Sequence, residues 1–330
     1  MAQPNVTLLV LSDRGDCVNT AALPQNILRG VILIIATALL ISIQDLIFKL
    51  FSGTLSLWQV FALRGIITLP LLMLIAWPRG QLRSMLTESY SPWALMRTLF
   101  MTCAFVIFYA ALPFVSLSTA GAGIYLAPIF VAVLSAFVIG ERVSPLGWIG
   151  VFLGFAGVVI LLRPGSDAFT IFALLPIASA VFYALAIITT RTRCHGVSAQ
   201  ALALSFNASL MIAGFVVSVG LTFWTPRADL VESYPFIFDT WSSVAGRDWL
   251  ILLVLAALAG LIGVMLAMAY QAAPPATIAT FEYSYIVFVA LWDIVFFGIA
   301  PTVFSVTGIV MIIGAGVLVM RRRKTKPSVG

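Results

Sequence analysis

The sequence predicts an all-α polytopic membrane protein, with ten transmembrane helices arranged as two inverted five-helix repeats. Three observations predict it. Of the 330 residues 62% are hydrophobic and only 9% are charged, whereas a soluble domain carries about a quarter charged residues to cover its surface. The apolar residues gather into runs near the ~20 residues that an α-helix needs to cross the hydrocarbon. The chain also resembles itself when shifted by about half its length.

The runs cover residues 28–48, 56–77, 93–112, 117–139, 144–162, 170–190, 199–223, 248–271, 276–297 and 302–320. None alternates apolar and polar residues over about ten positions, as an outer-membrane barrel strand would. Residues 1–27 are expected to form a cytoplasmic tail, because no basic stretch precedes an apolar core as in a cleaved leader. An even number of spans puts both termini on one face. That face would carry Arg14, Arg29, Arg79, Arg83, Arg97, Arg142, Arg191 and Arg193, together with the tail Arg321, Arg322, Arg323, Lys324 and Lys326. The other would carry Lys49, Arg163, Arg227 and Arg247. Lys and Arg collect on the cytoplasmic side, so both termini are expected in the cytoplasm and the chain in the inner membrane.

The net charge of +6 follows from this topology. Scattered over short loops and one tail, the basic residues form no nucleic-acid-binding face. Cys17, Cys103 and Cys194 lack metal-ligand spacing, and no cofactor is expected. The longest polar connection, 224–247, carries Trp224, Tyr234 and Trp241; such rings favour the membrane interface.

A shift of 158 residues lays the fourth and fifth spans on the ninth and tenth without a gap. Thr119 meets Thr277, Tyr125 meets Tyr283, Phe130-Val131-Ala132 meets Phe288-Val289-Ala290, and Gly140, Gly150 and Arg163 meet Gly298, Gly308 and Arg321. A weaker match lays Lys49 on Arg191. The repeats are expected at 28–164 and 165–322, followed by a basic cytoplasmic tail at 323–330. Because five is odd, the second half must enter the membrane from the opposite side, a plan used by secondary transporters with a substrate site between the halves.

Residues 112–164 contain Tyr125-Leu126-Ala127-Pro128, then Gly140-Glu141-Arg142, then Gly147, Gly150, Gly154 and Gly157 before Arg163-Pro164. This resembles the EamA domain of the drug/metabolite transporter superfamily, in which a proline-bearing helix ends in a Gly-Glu pair before a glycine-rich helix. The second half resembles it through Tyr283-Ser284-Tyr285 and Gly308, Gly314 and Gly316, but has Gly298-Ile299 in place of the Gly-Glu pair. The resemblance implies ten helices and alternating-access transport of a small organic solute. The protein is expected to work as a monomer or a homodimer.

Charges inside a span usually face a cavity or a partner. Asp45 and Lys49 share a helix face, four residues apart. Arg64 enters from the same side and is expected to pair with Asp45, as a static ion pair or as an outer gate and substrate clamp. Lys49 is expected to extend outward to the interface. Glu282 and Asp293 are eleven residues apart, within about 20° of one direction on a continuous helix. Asp293 is expected to be hydrated at the outer interface. Glu282 is the candidate proton-coupling group, because a carboxyl taken out of water can exchange protons near neutral pH. Tyr125, Tyr283 and Tyr285 are the candidate substrate-binding aromatics, since ring faces hold planar or cationic solutes. Gly121, Gly123 and Pro128 would let the fourth helix pack closely and bend. An enzyme would need a catalytic or metal motif, yet the chain has one His and neither a His-Glu-x-x-His nor a Gly-x-Ser-x-Gly sequence. A channel or facilitator for a small solute is the alternative, and a non-transporting membrane subunit a further one.

Overall fold

Serine and proline set where the helices begin. In the computed structural model, which describes residues 27–51, 55–134, 145–162, 170–194, 196–224, 227–272 and 281–320, four serines cap helices. Ser56, Ser91, Ser116 and Ser198 each accept a hydrogen bond from a backbone N–H of the following turn, satisfying a donor that a helix start leaves open. The helices are α1 (Ile27–Phe51), α2 (Leu57–Ala76), α3 (Leu82–Ser89), α4 (Pro92–Ala111), α5 (Leu117–Ile124), α6 (Ala127–Leu134) and α7 (Pro145–Leu162). They continue with α8 (Leu175–Arg193), α9 (Ala199–Phe223), α10 (Ala228–Ser233), α11 (Pro235–Phe238), α12 (Gly246–Ala272), α13 (Ser284–Phe297) and α14 (Val303–Met320). No strand occurs among the described residues.

Six helical stretches are long and apolar enough to cross a membrane: Leu28–Leu50, Leu57–Arg79, Pro92–Ala111, Ile171–Thr190, Ala199–Phe223 and Gly246–Leu266. Shorter apolar helices cover Trp148–Ile160, Ser284–Phe297 and Val303–Ala315. Leu74, Phe152, Val216, Val287 and Val310 point outward with more than half their surface exposed. An apolar exterior of this kind suits lipid, and the chain is a multi-pass membrane protein. Both terminal tails, the Gly140-Glu141 turn and Arg163-Pro164 lie outside the described residues.

The expected fourth span is not one continuous rod. It breaks at Tyr125 and Leu126, between α5 and α6, and α6 restarts with Pro128 in its first turn, where a missing N–H breaks no helical bond. A turn at Tyr283 likewise precedes α13. At the far end of α13, Gly298 adopts φ 64° and its N–H bonds back into the last turn. This left-handed stop favours glycine, and it accounts for Gly298 without any following acid.

The most extensive helix packings are α7 on α14, α4 on α8, α2 on α9 and α1 on α12, with α5 on α13 beside them. At one of these contacts glycine is required. A Cβ on Gly214 of α9 would lie 2.5 Å from the Trp58 carbonyl oxygen and 2.7 Å from the Ala62 nitrogen of α2. Both are backbone atoms, so side-chain rotation cannot relieve the clash. Gly214→Ala is expected to destabilise the detergent-solubilised protein by about 1–3 kcal/mol, the range for overpacking; Gly220→Ala, where a Cβ meets nothing within 4 Å, should be near neutral in the same unfolding measurement.

Candidate functional site

Asp45 is the best-partnered charge in the interior. Only 2% exposed, its carboxylate accepts a hydrogen bond of 2.9 Å from the Tyr109 hydroxyl of α4 and one of 2.6 Å from the Tyr285 hydroxyl of α13. Gln44 supports the first of these by donating its Nε2 to the Tyr109 oxygen at 2.7 Å. Phe48, one turn further along α1, stacks on the Tyr109 ring with centroids 4.1 Å apart. The Tyr285 ring is placed by α5, where a Cβ on Gly121 would come within 2.9 Å of its Cε1 atom. Glycine at 121 therefore lets Tyr285 lie flat enough against α5 to reach Asp45.

The expected Asp45–Arg64 ion pair is not formed: no nitrogen–oxygen contact within 4.0 Å joins the two among the described residues. Arg64 is buried, and its guanidinium carbon lies 5.6 Å from the ring centres of both Phe48 and Phe61. Its Nε atom has no hydrogen-bond partner. The positive charge is held by aromatic faces and acts on Asp45 and Tyr109 through space. Two hydroxyl donors satisfy the carboxylate at close range and remove only one full charge from water, whereas a buried ion pair removes two.

Beside this network lie the other predicted aromatics. Tyr125 stacks on Tyr285 with ring centres 5.0 Å apart, and Tyr283 tilts against Tyr125 at 5.7 Å. The Tyr283 hydroxyl is buried and unpartnered. Glu282 is half-buried, close enough for its charge to act on Tyr125, Tyr183 and Tyr283. It does not share a continuous stripe with Asp293, because the turn at Tyr283 interrupts the helix between them. Tyr285, Val289 and Asp293 do form one buried stripe. The structure thus gathers Asp45, Tyr125, Tyr283 and Tyr285 into one region, sets Arg64 behind Phe48, and leaves Glu282 at the edge.

Two further expectations are corrected. Asp293 is not hydrated at the interface: it is 1% exposed, and its carboxylate accepts hydrogen bonds from the backbone N–H groups of Leu117 (3.0 Å) and Ser118 (2.7 Å) at the start of α5. Lys49 does not reach outward to water. Its ammonium donates to the carbonyl oxygens of Leu112, at 3.0 Å, and of Val115. Nothing in the sequence near either residue shows that another helix end arrives there. The 224–247 connection folds onto the bundle end: Trp58 Nε1 donates to the Ile237 carbonyl at 2.7 Å, and Gln59 Nε2 to that of Ser242 at 2.8 Å. Gln44 and the Asp45-binding role of Tyr109 were missed, although Gln44 adjoins the acid in sequence.

Residues 28–163 match the model of the EamA-like transporter family. A riboflavin transporter of Rhizobium johnstonii is 28% identical, over 73% of this chain and 75% of its own length. Another riboflavin transporter, of Brucella anthropi, is 26% identical over 82% of this chain and 88% of its own. The pseudopaline exporter CntI of Pseudomonas aeruginosa is 24% identical over 89% of this chain and 97% of its own. One solved crystal structure shares the fold with a TM-score of 0.57 and 19% identity, covering 88% of this chain and 95% of that one.

The geometry ranks the partners of Asp45. A double-mutant cycle of Asp45→Asn with Tyr285→Phe should give a coupling of about 1–2 kcal/mol in unfolding, as for hydrogen bonds to charged groups. The cycle with Arg64→Gln should give less. A larger coupling to Arg64 would contradict the arrangement.

Proposed function

Through residues 28–163 the chain belongs to the EamA-like transporter family, and on that premise we propose that it is a secondary active transporter. It moves a small organic metabolite or drug-like solute across the cytoplasmic membrane by alternating access between two inverted five-helix halves, residues 28–164 and 165–322. Both termini are cytoplasmic in this reading.

One observation carries it. Tyr125 and Tyr283, equivalent under the 158-residue shift, each stand at a helix interruption, and their rings meet 5.7 Å apart where the halves face each other. Interrupted helices near mid-membrane are how repeat-built transporters form solute sites, since backbone groups freed there can serve a ligand. The packing pattern supports the same reading. Exchanging each span with its counterpart five spans away turns the α1–α12 contact into the α8–α4 contact, and maps α2–α9, α5–α13 and α7–α14 onto themselves. A chain with this symmetry has a second arrangement of similar energy, in which the halves exchange conformations.

In this reading Tyr125, Tyr283 and Tyr285 offer ring faces to the solute. Asp45, shared by Tyr109 of the first half and Tyr285 of the second, is the polar link that must loosen as the halves rock, and Arg64 is the cation waiting behind it. Relatives named for riboflavin and for pseudopaline support a small organic solute. Glu282, at the edge of the tyrosine group, is the proposed proton-coupling carboxyl.

The test is uptake of a metabolite panel by liposomes containing the purified protein. At least one solute should accumulate against its gradient when a pH gradient is imposed. Glu282→Gln should abolish the response to that gradient, while exchange between equal solute pools persists. Uptake that equilibrates without ever concentrating would favour a facilitator, and unchanged pH-driven uptake in the variant would remove Glu282 from the coupling role.

A further inference from the structure

Residues 112–116 join α4 to α5, and charges from two other helices grip the two ends of this connection. Lys49, at the end of α1, donates to the carbonyls of Leu112 and Val115, on the side where α4 ends. Asp293, near the end of α13, accepts from the N–H groups of Leu117 and Ser118, where α5 begins. Each charge has the sign that complements its helix end, a cation at a C-terminus and an anion at an N-terminus. Each also satisfies backbone groups that no intrahelical bond reaches. The two side chains act on one another electrostatically as well.

The connection carries more than these caps. Phe114, within it, stacks on Phe172 with centroids 4.1 Å apart, and Tyr234 of the 224–247 connection meets both rings edge-on at 5.4 and 5.9 Å. An aromatic lid therefore covers the end of the bundle where α1 ends and α5 begins. Lys49 ties the connection to its own half. Asp293 ties it to the other half, because α13 belongs to the second repeat.

We propose that Lys49 and Asp293 are gating residues: they form a two-sided clip on the α4–α5 connection that holds this end of the transport pathway shut. This rests on the transporter reading of the chain. Opening that end requires α13 to withdraw from the start of α5. In a dry interior the withdrawal strands a carboxylate and two N–H groups, so the end stays closed. Once the lid parts, entering water can serve both, and the clip releases as a unit. A static cap would give the same closed geometry but would never let go.

The test reads access to the region beneath the clip and needs no knowledge of the solute, so its outcome stands apart from that of the flux assay. A reporter cysteine replaces Ala120, which is fully buried on α5 just below the clip, in protein whose three native cysteines are changed to Ser. Sealed vesicles of known orientation are treated with a membrane-impermeant maleimide from the α5 N-terminal side. Asp293→Asn and Lys49→Met should each raise the labelling rate about tenfold, and labelling from the opposite side should fall. Asp293→Glu, which keeps the charge, should restore most of the original rate. Should the Asn variant fail to accumulate, Lys49→Met against Lys49→Arg makes the same comparison. Labelling unchanged in the neutral variants, with only thermal stability lowered, would overturn the gate and leave a static pair of helix caps.

Discussion

A carboxyl group in the hydrocarbon region has no water to turn to, so its partners must come from the protein, and that constraint organises the interior of this molecule. Asp45 meets it with two tyrosine hydroxyls, one from α4 and one from α13. Much else follows from bringing those hydroxyls together. Gly121 must lack a side chain so that Tyr285 can lie against α5. Phe48 must stack on Tyr109 to fix its ring, and Gln44 must brace its oxygen. Asp293 obeys the same rule at the end of the bundle, with backbone N–H groups as its donors. Both acids are satisfied by elements from the other half of the chain, so the interior charges are also the links across the dividing line.

Links of this kind suit a protein that must have two states. Hydrophobic side chains slide past one another with little preference, whereas a carboxylate is either bonded or must be hydrated. A few polar links between largely apolar halves therefore define discrete closed arrangements, and the entry of water or solute shifts the balance between them. The helix interruptions at Tyr125 and Tyr283 place flexible backbone and ring faces beside one such link. A solute arriving there competes for the groups that hold the halves together.

Much of this was legible in the sequence, and the limits are physical. The all-helical membrane class followed from composition, and Asp45 stood out as a charge in an apolar run. Its partners were misassigned because charge seeks charge in a sequence-level argument, while in the folded interior uncharged tyrosines served it with less desolvation. Asp293 was assigned to water from its position near a span end, since nothing local shows that α5 begins against it. The break at Tyr125 was foreshadowed by Gly121, Gly123 and Pro128. The turn at Tyr283 was not, and it upset the helical phase that had placed Glu282 and Asp293 on one stripe. Tyr125, Tyr283 and Tyr285, chosen from the repeat and from their chemistry, do come together.

The central claim is that the Asp45–Tyr285 link is remade during transport. The most direct measurement is the infrared difference spectrum of the reconstituted protein on adding a solute that it transports, with the Asp45 carboxyl identified by its loss in Asp45→Asn. The account predicts that solute shifts the Asp45 band in the native protein, and that Tyr285→Phe moves the resting band toward its solute-bound position. An Asp45 band unmoved by a transported solute would contradict the claim and reduce the network to a fixed structural element.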